Sequence, residues 1–254
     1  GAGLDWKVLD PLILGLGVRY DYSDVDSTHY FGTHLNFTST RLLAHAKYEF
    51  TERWFVAAVV SYAFNAYDTR RRVYVTPTPA NPNVVLAAGD GSGRQWNLDV
   101  SSGYQFSYGK CHIMPLLGAQ YSHLHLKSYN ERNVQTLGRQ FPSQNLDSLK
   151  LYGDLKIAYQ NEFPKAQLMP YLHGRVMHDT ENDQQEMTAN VFGGSTAFPS
   201  FGAKPAHTSY QAGAGFTLFG QHDITLTMSY DYTFKNHFYD HAALLYIHHD
   251  WDVA

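Results

Sequence analysis

No run in this chain approaches the ~18 to 20 apolar residues that a membrane helix requires, although 44% of its 254 residues are hydrophobic and 15% aromatic. Helical membrane spans are therefore excluded. Cysteine is nearly absent, and the single Cys111 cannot form an internal disulfide. With His112 it offers two of the four ligands of a usual zinc site, so the reading is an unpaired thiol in a short Gly109-Lys110-Cys111-His112 turn, with no metal and no other cofactor. There is no basic surplus: 19 Lys and Arg stand against 23 Asp and Glu, a net charge of -4, which argues against a nucleic-acid partner. Neither a Ser-centred nucleophile elbow nor a phosphate loop is found. The chain opens at Gly1 without Met or signal peptide, the expectation for a mature or truncated product.

What the chain has instead is alternation. In 224–234 the residues Ile224, Leu226, Met228, Tyr230, Tyr232 and Phe234 are apolar or aromatic, while Thr225, Thr227, Ser229, Asp231 and Thr233 are polar. A period of two is a strand with one greasy face. Because the opposite face is small and polar, the strand suits a barrel with lipid outside and water inside. A mean hydropathy of -0.36 is compatible with this, since half of each such strand faces water.

The same pattern recurs over 12–24, 38–50, 54–68, 95–109, 113–129, 148–163, 168–179, 210–219 and 242–251. A break in the alternation is expected near His123, at a bulge or at the membrane edge. Short turns at 10–11, 51–53, 109–112, 164–167 and 220–223 alternate with longer loops at 25–37, 69–94, 130–147, 180–207 and 235–241. The second loop contains TPTPANPN and GDGSG, which read as unable to sustain a sheet. Short turns at one end and long loops at the other predict an antiparallel up-and-down transmembrane β-barrel filling residues 1–254 as a single domain, in the bacterial outer membrane, with turns and C-terminus periplasmic and loops outside. Ten strands run from residue 12 onward, and 1–9 reads as the end of another. An even count then implies twelve, the first missing from this sequence. Ten with a periplasmic leader is the alternative.

GAGLDWKVLDPLILGLGVRYDYSDVD, MPYLHGRVMHDTEND and YQAGAGFTLFGQHDITLTMSYDYTF together resemble the opening hairpin, the Pro-Tyr strand and the closing strands of the C-terminal β-domain of classical autotransporters, the type Va secretion family. The resemblance covers nearly the whole chain. It implies a twelve-stranded translocator that anchors and exports its own upstream passenger, with a lumen-plugging helix ahead of the first strand and the barrel-assembly machinery as a partner. The chain departs from the family at its end, LLYIHHDWDVA, where Trp251 is followed by three further residues instead of closing the chain.

Arg19, His45, Lys47, Glu49, Asp99, Lys150, Asp154, Lys156, His173, Arg175 and Asp231 fall on the polar faces and are expected to line the pore, where charges can pair around water or a translocating segment. Arg70, Arg71 and Arg72 sit just above strand 54–68, placed for charge-assisted bonds to lipopolysaccharide phosphates. Tyr20, Tyr22, Tyr62, Tyr104, Tyr159, Tyr230 and Trp96 suit interfacial aromatic girdles. No catalytic residue is expected. The competing readings are a standalone adhesin or porin-like barrel, a soluble β-sandwich, and an omptin-like rim protease using Asp24, Asp26, His178, Asp179, Asp240 and His241.

Overall fold

The computed structural model describes residues 1–27, 33–74, 84–134, 138–181, 186–191, 197–201, 206–220, 223–236 and 238–250. Alternating side chains produce strands throughout: β1 (Ala2–Leu9), β2 (Leu12–Ser27), β3 (Thr33–Glu49), β4 (Trp54–Tyr74), β5 (Val84–Tyr104), β6 (Phe106–Tyr108), β7 (Cys111–Leu126), β8 (Tyr129–Asn130), β9 (Arg139–Phe141), β10 (Gln144–Tyr159), β11 (Asn161–Phe163), β12 (Ala166–Asp179), β13 (Glu186–Val191), β14 (Ala197–Phe201), β15 (Thr208–Phe219), β16 (Ile224–Lys235) and β17 (Phe238–His249). Eleven of them form one antiparallel meander in the order β1-β2-β3-β4-β5-β7-β10-β12-β15-β16-β17, with β6 and β11 extending two ladders near the short turns. The tight turns include Gly109 at φ 59° and Asp223 at φ 56°, left-handed positions that favour Gly and Asp.

One face of this sheet is apolar and open. Leu117 and Leu172 are 73% and 65% exposed, and Leu16, Leu42, Val60, Leu98, Leu151, Leu155 and Met228 are also exposed. All of the aromatic residues expected in the girdles lie on the same face, exposed with them. So large a continuous apolar surface exceeds anything a water-exposed sheet carries. It has the form of a lipid-facing belt, which removes the sandwich reading.

Several loops are shorter than expected, because strands continue past the apolar belt. The 25–37 loop contains the ends of β2 and β3, and the 235–241 corner belongs almost wholly to β16 and β17. The expectation that GDGSG breaks the sheet is corrected: it lies inside β5, in register with Tyr67, Asp68 and their neighbours on β4. Gly91 and Gly89 are tolerated there because the rings of Tyr67 and Tyr129 lie over them, in the space a side chain would fill. TPTPANPN lies outside the described residues. No bulge occurs at His123, since β7 pairs β10 without a shift from Cys111 to Leu126. His123 and Asp147 instead continue the outward face above the belt. Cys111 is the first residue of β7, opposite Tyr108 and Tyr159, and the turn before it is Gly109-Lys110.

The connections expected as loops at 130–147 and 180–207 contribute a second sheet, β14-β13-β9-β8. It joins the barrel wall where the backbone of Arg132 bonds that of Ala88 in both directions, at 3.1 and 2.6 Å. β4 and β5 have 21 residues each, roughly 70 Å of extended chain. A tilted span uses only ~9 to 11 of those residues, so this side of the barrel carries a tall wall beyond the membrane.

Candidate functional site

Strict two-residue periodicity decides which side chains share the inner face. The cross-strand registers place Arg19, His45, Lys47, Glu49, Asp99, Lys150, Asp154, Lys156, His173, Arg175 and Asp231 together on the face opposite the apolar belt. Their partners are reached in a recurrent way: a long side chain crosses one intervening strand at a glycine. His45 on β3 reaches over Gly15 of β2 to Asp5 on β1, Nε2 to Oδ1, 3.1 Å. Tyr152 on β10 reaches over Gly118 of β7 and donates to Asp99 Oδ1 on β5 at 2.8 Å. His173 on β12 reaches over Gly213 of β15 to Asp231 on β16, Nε2 to Oδ1, 2.6 Å.

Five of the expected residues form one cluster. Asp154, whose side chain is 9% exposed, accepts from Arg175 Nε at 2.7 Å and lies 3.6 Å from His173 Nδ1, so a guanidinium, a carboxylate, an imidazole and the Asp231 carboxylate follow one another across β10, β12 and β16. Lys156 lies beside it with its ammonium 3.8 Å from the centre of the Tyr171 ring, a cation–π arrangement. The other expected residues stand apart. Arg19 donates to Asp21 at 2.6 Å, Lys47 to Glu49 at 2.6 Å, and Lys150 faces Asp179 in register. The partners Asp5 and Tyr152 are absent from the expected set, although the parity that selects Lys150 also selects Tyr152, and Asp179 is expected at the rim instead.

The arginine triplet is divided by the pleat. Arg70 and Arg72 point outward, but Arg71 is corrected to the inner face, where it donates twice to Glu131 at 3.0 and 2.7 Å. Glu131 Oε2 also accepts from the Arg139 backbone N–H at 3.0 Å, so one carboxylate ties the β8–β9 hairpin to the wall. Nearby, burial pushes the Tyr129 phenol up to about 12. Its ring stacks on Phe141 and meets Tyr67 edge-on.

The rim-protease residues do not converge. His178 and Asp179 are consecutive in β12 and so face opposite sides, as do Asp240 and His241 in β17. Asp24 and Asp26 lie on the outer face with His34, whose Nδ1 is 2.7 Å from Asp26 and 3.4 Å from Asp24. The hydrogen bond to Asp26 raises the His34 pKa above its ordinary value.

A family model described as autotransporter beta-domain matches residues 1–231. The chain belongs to the autotransporter β-domain family. Among solved structures, this β-domain is similar to the translocator domain of the autotransporter NalP from Neisseria meningitidis, at 16% identity and a TM-score of 0.76, over 96% of this chain and 77% of that one. It is similar also to the β-domain of the Bordetella autotransporter BrkA, at 15% identity and a TM-score of 0.58, over 96% of this chain and 86% of that one. A sequence search of curated proteins finds no match. Family and fold together make this an outer-membrane translocator barrel with a polar inner wall.

Proposed function

We propose that this barrel anchors and exports a passenger carried upstream of Gly1, its short turns in the periplasm and its long hairpins outside. The observation that carries the reading is the inner wall, where charges pair with one another along the strands and across glycines beneath an apolar outer belt. Such a wall holds a water-filled passage open while a polar polypeptide crosses. A further strand fits the same picture. β1 and β17 are not paired with each other among the described residues, and in an antiparallel meander of eleven they run in the same direction. Asp5 on β1 nevertheless lies within electrostatic reach of Tyr246 on β17. One antiparallel strand between these edges, supplied by the polypeptide ahead of Gly1, closes a barrel of twelve and satisfies both edges.

Lipid contacts the outer belt. Arg70 and Arg72, with Arg94 and Arg132 on the same outward side, are placed to meet lipopolysaccharide phosphates. The barrel-assembly machinery is the partner for insertion. The terminal residues 251–254, where its usual signal departs from the family pattern, lie outside the described residues. A non-catalytic role is supported by the opposed directions of the neighbouring Asp and His pairs at the rim.

The test is surface display. An epitope placed upstream of Gly1 in the native gene is expected to become accessible to external protease, and to lose that accessibility when β16 and β17 are deleted. An upstream region that stays internal with the intact barrel would sink the translocator reading.

A further inference from the structure

The inner wall satisfies its own polar groups almost everywhere. Asn97 donates to Ser61 Oγ at 3.1 Å, and Gln95 donates to Asn97 and to Ser122, each at 2.9 Å. One adjoining patch breaks this rule. Ser39 Oγ, Arg41 Nε and Asn65 Oδ1 are shielded from solvent and have no hydrogen-bond partner among the described residues. They are contiguous: Ser39 on β3 is directly opposite Asn65 on β4, and Arg41 is the next inward residue of β3, opposite Ala63. Ser39 and Asn65 are only 3% and 4% exposed. Buried groups without protein partners are rare, so a cluster of them marks a place on the wall where a polar ligand gains hydrogen bonds.

The charge balance points the same way. Arg41 lies directly across from Arg19 of β2, a juxtaposition of like charges that disfavours the pair. The nearby carboxylate, Asp21, is engaged by Arg19 at 2.6 Å. The patch thus holds two guanidiniums to one carboxylate, together with an idle N–H donor, an idle acceptor and a hydroxyl that serves as either. A free anion would use the donor and leave the Asn65 oxygen unmet. An acidic residue within a polypeptide meets both needs, because its carboxylate accepts from Arg41 while a neighbouring backbone N–H donates to Asn65 Oδ1.

We propose that Arg41, Ser39 and Asn65 form a subsite on the inner wall for an acidic residue of the polypeptide that threads the lumen. The proposal rests on the translocator reading and adds the chemistry the wall selects. Half-buried Arg41 is the group that an incoming carboxylate meets first, and Ser39 and Asn65 set the register of the chain behind it.

The full chain, refolded in detergent and checked for folding by its heat-modifiable gel mobility, is titrated with a short fluorescent peptide bearing one central glutamate and with its glutamine twin, by anisotropy. Wild type is expected to prefer the glutamate peptide by ~10-fold, the scale of a charge-assisted bond. Arg41→Gln is expected to abolish that preference, and Arg41→Lys to restore part of it. The charge-neutral pair Ser39→Ala and Asn65→Ala is expected to weaken both peptides several-fold. Equal affinities of wild type for the two peptides, a preference unchanged by Arg41→Gln, or unaltered binding after the Ser39 and Asn65 changes would each overturn the subsite. Surface display of the upstream segment, scored separately in wild type, distinguishes the two failures: display without peptide discrimination removes the subsite alone, whereas absent display removes the translocator reading.

Discussion

Replacing Glu131 by alanine should release the β8–β9 hairpin while leaving the membrane-embedded sheet intact. The Glu131 side chain is 5% exposed and Arg71 20%, and the carboxylate receives two guanidinium bonds and one backbone N–H. Breaking a buried pair by removing one partner costs ~3 to 5 kcal/mol, most of it the penalty of the charge left behind. Arg71 keeps some contact with water, so the lower end, about 3 kcal/mol, applies here. That is roughly a 100-fold rise in the population of the undocked hairpin. The reporters are the amides of Ala88 and Arg132, which bond each other's carbonyls only while the hairpin is docked. Hydrogen exchange at those two amides should accelerate by ~100-fold in Glu131→Ala, with amides of β12 and β15 unchanged. The pair Arg71→Met with Glu131→Leu should recover much of the protection, because it leaves no orphaned charge. Exchange at Ala88 and Arg132 within about threefold of wild type in Glu131→Ala would refute the claim that this carboxylate docks the hairpin.

Leu155→Arg, in the outer belt, should cost ~2 to 4 kcal/mol of folding free energy in a bilayer; a cost near zero by urea titration in lipid vesicles would mean that the belt does not face lipid. Gly213→Val should reduce the folded fraction, read as heat-modifiable gel mobility, because a side chain there collides with His173 Nε2 and Asp231 Oδ1; wild-type folding would remove the argument for bridging across glycines. On the outer rim, the hydrogen bond that His34 donates to Asp26 raises the His34 pKa above 6.5. Its contribution is therefore complete below the unfolded value and lost as pH rises through the folded one, so the His34 ring should titrate by NMR with a midpoint above 6.5 that falls in Asp26→Asn. Asp147 is lowered from 3.8 by the Tyr121 hydroxyl and then by His123. Its contribution is present above 3.8 and lost as pH falls through the folded value, and Tyr121→Phe should move the Asp147 midpoint back toward 3.8.

The inner wall was legible to the extent that it depends on parity. Lys150, Asp154 and Lys156 alternate with Leu149, Leu151 and Leu155, and nothing but a strand puts those three charges on one side. Parity also divides Arg70, Arg71 and Arg72, yet a charge run read as a loop hides it, and the continuation of β4 to Tyr74 came from pairing with β5. The glycines of GDGSG misled for a related reason. Local preference marks them as breakers, whereas within the sheet their lack of side chains makes room for the rings of Tyr67 and Tyr129.

Side-chain alternation along each stretch, with turn chemistry between stretches, is local information, and by itself it determined the strand content, the lipid-facing and water-facing sides, and the antiparallel order of the barrel. Partnership across strands is not local. Which carboxylate His45, Tyr152 or His173 would reach, that Glu131 would hold Arg71 across sixty residues of chain, and that Ser39, Arg41 and Asn65 would lie together without partners were decided by register and curvature. These arise only when the ladders form side by side, since a shift of one residue moves every side chain to the other face.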